Sequence, residues 1–239
     1  MKKFILCVLV LCAVSGGLVF AQTVAEDNFS SIGKWQTAGG SWKANGRLVQ
    51  GDSKASIAVI NRQISQDGVY QVEFSIKYAA GGYKDMKEAA QGKFHAGFGL
   101  HIGVDKPAAP QRAWGNGKSY LLWLNLDTTV PKSSPHYGFR GQVYRSVTNT
   151  DMRLMKDYNV EVLPLQKALS TIENSIGWSV PVKIIINTND GEIRVYDPTV
   201  PGYYYFFYLD PKLLKGSWLS LRTNKLSAEF SNFKVTKIR

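Results

Sequence analysis

From residue 182 onward the chain alternates apolar and polar positions with a period of two. Val182-Lys-Ile-Ile-Ile-Asn187 reads as a strand, Asp190-Gly191 supplies a tight turn, and Ile193 and Val195 resume the alternation. That pattern predicts a β-hairpin, with Gly191 taking the positive φ that the turn requires. An aromatic run at residues 203–208 follows. One side of it is expected in the core, the other under a helix or exposed as a patch for a partner. Two further strands are expected over 216–222 and 228–237.

The same period runs upstream. Trp35, Trp42 and Leu48 are separated by Gly39-Gly40 and Asn45-Gly46, which predicts short strands and turns. Longer strands are expected at 55–61, 69–78, 93–104, 119–127, 137–148 and 158–163. In the 69–78 strand Val72, Phe74, Ile76 and Tyr78 share one parity and are assigned to the core. Residues 79–92 form a polar insertion with helical tendency at 85–90, and 105–118 form a loop rich in Gly and Pro.

Only one segment has helical period. Leu165, Leu169, Ile172 and Ile176 fall on one stripe, Pro164 suits a first helical position, and Gly177 ends the segment. Many strands with one amphipathic helix, about 164–176, make the chain all-β: a two-sheet antiparallel sandwich with alternating apolar faces buried against each other. The helix is expected to cross an edge or the convex side. No repeat, low-complexity segment or linker divides residues 22–239, so a single domain is expected there.

The first 21 residues do not belong to that pattern. Lys2 and Lys3 precede the apolar run 4–14, and Val19-Phe20-Ala21 fits a small-x-small cleavage site, so 1–21 reads as a signal peptide. The run is short for a span and Ser15-Gly16-Gly17 breaks it, so no membrane span is expected after cleavage. Cys12 leaves lipidation as the alternative, although Leu11 is a poor residue before a lipidated cysteine. Both cysteines lie in this leader, so the exported chain has neither disulfide nor thiolate metal site. Placement in the periplasm, on the cell surface or outside the cell follows. The formal charge is +11, and loss of Lys2 and Lys3 lowers it by two. A basic surface attracts acidic polymers. Export argues against nucleic acid, and the scattered basic residues also fit a plain solvated surface.

Four pieces carry a family resemblance. They are Asp27-Asn-Phe29 with Trp35 and Gly40-Ser-Trp42 through Gly46-Arg-Leu48; Gly97-Phe-Gly-Leu100 with Tyr120-Leu-Leu122; the 182–196 hairpin; and Phe230-Ser-Asn-Phe-Lys-Val235. In that order they resemble the concanavalin A-like jelly roll, in particular the laminin-G-like and 3-keto-disaccharide hydrolase-type modules of exported bacterial proteins. The resemblance spans roughly residues 26–238. It implies a jelly-roll sandwich and leaves function open, because this superfold hosts lectins, glycosidases and structural modules. Related sandwiches can hold a structural calcium between an acid near the N-terminus and one in the closing strand. Asp27 is present, but Ser231 stands where that aspartate would be. No cofactor is therefore expected, with calcium at Asp27 as the alternative.

Parity sorts the remaining candidates. In the 93–104 strand Phe94, Ala96, Phe98, Leu100 and Ile102 point inward, leaving His95, Gly97, Gly99, His101 and Gly103 outside. Glycines on one face allow a ligand or an aromatic ring to approach the backbone. In the next strand Leu121, Trp123, Asn125 and Asp127 point out, and in the third Arg140, Gln142, Tyr144 and Ser146 do. If the three strands adjoin, Trp123 and Tyr144 would stack on sugar rings while His95, His101, Asn125, Asp127, Arg140 and Gln142 hydrogen-bond hydroxyls. The plainer alternative is a hydrated sheet face. Trp114 and Arg112 could form a rim. His95 and His101 are about 20 Å apart along a strand and cannot share a metal.

The sequence holds no Glu-x-Asp pair, no Gly-x-Ser-x-Gly elbow, no phosphate loop and no Cys–His pair. Asp127 and Glu161 are isolated strand acids. Three functions remain: a non-catalytic domain binding glycan or envelope polysaccharide on a concave face, a structural or interaction subunit of an envelope protein assembly, and a glycoside-active enzyme with Asp127 or Glu161 as base.

Overall fold

The computed structural model describes residues 21–82 and 93–238. The predicted leader up to residue 20 and the helical tendency at 85–90 lie outside them. Two antiparallel sheets form a sandwich.

The eight-stranded sheet runs β13 (Tyr204–Tyr208), β12 (Glu192–Tyr196), β11 (Ser179–Asn187), β6 (Val69–Gly81), β15 (Leu226–Lys237), β4 (Leu48–Gln50) and β3 (Trp42–Ala44), and β1 (Gln22–Asp27) pairs with the second half of β15. The seven-stranded sheet runs β10 (Met152–Leu163), β9 (Gly138–Ser146), β8 (Ser119–Asp127), β7 (His95–Val104), β14 (Trp218–Asn224), β5 (Ala58–Gln63) and β2 (Trp35–Gly39).

The predicted hairpin is β11–β12. Ile184 pairs with Val195 and Ile186 with Ile193, while Gly191 has φ +88° and donates its N–H to the Asn187 carbonyl at 2.9 Å. In β6, Val72, Phe74 and Ile76 are buried as their parity predicts, Tyr70 joins them, and Tyr78 packs partly against the same core. Phe74, Phe230 and Trp42 meet through tilted contacts, and Phe29, Trp35 and Phe233 through tilted and edge-on ones. Each such ring contributes about 1.5–3 kcal/mol by leaving water.

Asp27 closes the N-terminal corner. Its carboxylate accepts from the Phe29 N–H at 2.7 Å and from Trp35 Nε1 at 3.0 Å, with Arg62 at 3.6 Å. No group of three metal-ligating side chains occurs among the described residues.

Helix α1 (Leu165–Ser175) follows edge strand β10 and leads across to β11 in the other sheet, approaching β9. Ala168 is buried, with Leu165 and Leu169 half-buried beside it. Pro164 stands one position earlier than expected, at the N-cap, and Gly177 has φ +91° just past the end. No helix among the described residues is long and apolar enough to cross a membrane.

Two expectations need correction. Strand β10 begins at Met152 rather than Tyr158; its register with β9 shifts between Leu154 and Asn159, and that irregularity erases the alternation in the sequence. The aromatic run at 203–208 does not bury one side in the core. Tyr203, Tyr205, Phe206 and Tyr208 are 48–62% exposed, and only Tyr204 and Phe207 are half-buried. Strand β13 is the sheet edge, so it has a pairing strand on one side only.

Candidate ligand-binding face

The three polar strand faces read from parity adjoin. His95 pairs with Asp127, Gly97 with Asn125 and Gly99 with Trp123 across β7–β8; Asn125 pairs with Arg140, Trp123 with Gln142 and Leu121 with Tyr144 across β8–β9. Paired residues in an antiparallel ladder point the same way. His95, His101, Trp123, Asn125, Asp127, Arg140 and Tyr144 therefore share one face of the seven-stranded sheet.

Two loops lie over that face. Loop 105–118 is pinned through Asn116, which is fully buried. Asn116 Nδ2 donates to Ser220 Oγ at 2.9 Å, its N–H donates to Ser146 Oγ at 2.8 Å, and its Oδ1 accepts from the Ala108 N–H at 2.9 Å. Loop 128–137 is held from the other end. Asn125 Nδ2 donates to the His136 carbonyl at 3.1 Å, and Gln142 Nε2 and Asn159 Nδ2 donate to the Pro135 carbonyl at 3.2 and 2.8 Å. Asp127 Oδ1 accepts from the Thr129 N–H and Oγ1 at 2.8 and 2.6 Å.

The cover changes what the predicted residues can do. Trp123 is 4% exposed. Its indole lies where a Cβ on Gly97 or Gly99 would be, so those two glycines admit this ring to the backbone rather than a ligand. Trp114 meets it edge-on at 5.8 Å and is the more exposed of the two indoles, at 36%. Across the face, the His136 ring stacks parallel to Tyr144, whose hydroxyl lies 3.1 Å from His136 Nδ1. Burial pushes the Tyr144 phenol well up, so it stays protonated. Arg140 Nε donates to Asn159 Oδ1 at 2.7 Å. His95 is half-buried, with Asn224 Nδ2 at 2.9 Å and Asp127 Oδ2 at 3.7 Å from its Nε2.

His101 is fully buried beneath loop 105–118. Arg222 Nη1 lies 3.2 Å from its Nε2, and Ser119 Oγ lies 3.2 Å from its Nδ1 while donating to the Asn116 carbonyl. A guanidinium only donates, so Nε2 is the acceptor and the proton sits on Nδ1. Burial, then the neighbouring Arg222 charge, holds this imidazole well below its usual pKa and neutral. His101 thus supports Arg222 rather than facing solvent.

Arg222 and Asn224 also lie on this face, next to β7, and no motif in the sequence marks them. They alternate with Leu219 and Leu221 like the other polar strand faces, and that was their signal. Their relevance depends on β14 lying beside β7, which pairs Arg222 with Gly99 and Asn224 with Gly97. Both carry buried atoms without hydrogen-bond partners among the described residues: Asn224 Oδ1, and Nε and Nη2 of Arg222.

An open trough of about 800 Å³ lies elsewhere, on the outer side of the eight-stranded sheet, where Glu73, Lys183, Tyr196, Asp197 and Lys234 line it. Its wall mixes both charge signs, and Lys183 is already seated over Tyr196 at 4.6 Å.

No protein-family profile and no curated protein matches this sequence. Solved structures match its fold at low identity. The legume lectin-like domain from Entamoeba histolytica is 10% identical with a TM-score of 0.57, the match covering 92% of this chain and 98% of that one. The CBM2 module of the evolved Dit of Lactobacillus casei BL23 phage J-1 is 9% identical with a TM-score of 0.54, covering 91% and 96%. Lectin I of Ulex europaeus, solved with the methyl glycoside of α-L-fucose, is 14% identical with a TM-score of 0.52, covering 91% and 97%. The chain folds as a concanavalin A-like jelly roll of two antiparallel sheets.

Proposed function

We propose that this protein is an exported, non-catalytic domain of the periplasm or cell surface that binds glycan on the covered face of its seven-stranded sheet. The carrying observation is the convergence of polar groups between two aromatic rims. Trp114 stands on one side and the His136–Tyr144 stack on the other, with Asp127, His95 and Asn224 between them at one end. Aromatic rings over a few fixed hydrogen-bonding groups suit a sugar, which has apolar C–H faces and hydroxyl edges. The lectin-like fold of the neighbours is consistent with this reading, though fold alone does not assign it.

In this reading Trp114, not the enclosed Trp123, stacks on the sugar. Arg140, Tyr144 and His95, which are half-buried, line the contact surface, and the enclosed Asn125, Asp127, Trp123 and His101 hold it in shape. Catalysis has little support. Asp127 and Glu161 sit on strands separated by β9 and are offset along it, which on ideal sheet spacing puts them about 12 Å apart. A retaining pair needs about 5 Å.

A glycan array probed with the purified protein tests the proposal. Binding that Trp114→Ala removes while the unfolding temperature is held is expected. Absence of binding to every glycan would overturn it.

A second reading is supported by the exposed aromatics of β13, which fit an interaction subunit of an envelope assembly. Recovery of one stoichiometric protein from envelope extract, lost on Phe206→Ser together with Tyr208→Ser, would establish it.

A further inference from the structure

Arg222 is the largest fully buried side chain of the described residues. Of its side-chain nitrogens only Nη1 is engaged, donating to the Trp114 carbonyl at 2.6 Å with His101 Nε2 at 3.2 Å. Nε and Nη2 have no hydrogen-bond partner among the described residues. These two nitrogens form the side-on edge of a guanidinium, whose parallel N–H bonds match the two oxygens of a carboxylate.

Several arginines elsewhere in the fold have acids beside them. Arg62 lies 3.6 Å from Asp27, and Arg47, Arg153 and Arg194 also pair with carboxylates. No ion pair of Arg222 occurs among the described residues, although Asp127 shares its face; that carboxylate is engaged by Thr129. A buried charge is costly unless it is paired and hydrogen-bonded. Burial lowers this guanidinium to about 9, so it remains a cation at neutral pH. The Trp114 ring lies 4.2 Å from the guanidinium carbon and is itself partly in solvent.

We propose that Arg222 is the carboxylate subsite of the glycan-binding face, so that the ligand is an acidic saccharide carrying uronic acid residues. The inference rests on the glycan reading above and specifies its ligand. Trp114 covers the guanidinium in the free protein. It turns aside when a uronate enters, and the carboxylate then takes the Nε–Nη2 edge. The displaced indole stacks on the same or the adjoining sugar. His101 and the Trp114 carbonyl fix the guanidinium through Nη1, which leaves Nε and Nη2 for the ligand. The formal charge of +11, lowered by two on loss of Lys2 and Lys3, still adds long-range attraction for a polyanionic chain.

The test compares four probes on the purified protein by calorimetry: an oligogalacturonate, its methyl ester, a neutral galacto-oligosaccharide of equal length, and a sulfated oligosaccharide. The oligogalacturonate is expected to bind about tenfold or more tighter than its methyl ester, the scale of one charge-assisted pair. Trp emission should shift on binding, and Trp114→Phe should reduce the shift. Arg222→Lys keeps the charge but not the fork, and should lose most of the preference for the free acid; Arg222→Met should lose all of it. The ester comparison uses the unaltered protein, so it stands even if a variant fails to fold. Equal binding of acid, ester and neutral sugar would overturn the carboxylate subsite and leave the glycan reading intact. Tighter binding of the sulfated probe would also overturn it. Failure of all four probes, together with an empty glycan array, would remove both.

Discussion

The outer face of the seven-stranded sheet and the β13 edge of the eight-stranded sheet reverse the usual placement of polar and apolar groups. The first is polar and buried: Asn61, His101, Asn116, Ser119, Ser220 and Arg222 are all fully enclosed. The second is aromatic and exposed, with Phe206 at 62%. The polar face is enclosed because two loops close over it and satisfy most of its groups through their own polar atoms. The aromatic edge stays open because no second strand among the described residues pairs with β13, which Tyr158 meets only through its hydroxyl and ring. Parity sets which way a side chain points; the cover above it sets whether water reaches it. Buried polar groups are costly when left unmatched, whereas exposed aromatic groups cost little in folding free energy. The two regions should therefore respond very differently to substitution.

The largest effect is expected from Gly99→Val. A Cβ there would overlap the Leu122 backbone and the Trp123 ring, neither of which can yield cheaply. A loss of about 3 kcal/mol or more in urea unfolding, or failure to accumulate folded protein, is expected. Next is Asn116→Ala, which strips partners from the Ala108 N–H and from Ser220 and loosens the cover. A cost of about 2–3 kcal/mol is expected by the same measurement. A much smaller value would mean that the polar face is not held closed by this residue.

The third effect depends on pH. His101 is held neutral in the folded protein, well below its usual value, so the unfolded chain binds the extra proton. Stability is therefore complete above about pH 6.5 and falls as pH drops below it, by up to about 1.4 kcal/mol per unit. Unfolding curves between about pH 7 and pH 5 should show that slope, and His101→Gln should flatten it. An unchanged slope in the variant would assign the effect to another group.

The smallest effect belongs to the aromatic edge. Phe206→Ser should change stability by no more than about 0.5 kcal/mol. It should reduce self-association in sedimentation at high concentration, because exposed apolar edge strands promote pairing between chains. A cost of several kcal/mol would show that the edge is covered in solution, and the comparison between the two regions would then fail.

Much of the fold was legible before the structure. Asp190-Gly191 between two alternating runs specified the β11–β12 hairpin, and the single stripe with period 3.6 specified α1. Strand β10 was only half legible, because its irregular register with β9 breaks the alternation that marks a strand. The candidate face was legible as a set of parities. His95, Asn125, Asp127, Arg140 and Tyr144 were read onto one face from their own strands. Trp123 is enclosed and Trp114 the more exposed, a difference the sequence does not carry, since nothing local distinguishes an indole laid on glycines from one partly in solvent. Arg222 lies far from Gly99 in the chain, and their pairing is a long-range choice made by the fold.

The sequence by itself determined most of the strands, the hairpin, the helix and which residues of a regular strand share a side, because those follow from local periodicity and turn chemistry. Only the tertiary structure decided which strands adjoin, which loops close over the polar face, and which charge is left without a partner. Those depend on contacts between residues far apart in the chain, and local patterning carries no record of them. Arg222 shows the difference: alternation puts it on the outer face of its strand, but only the assembled sheet seats it under Trp114 with Nε and Nη2 unpaired.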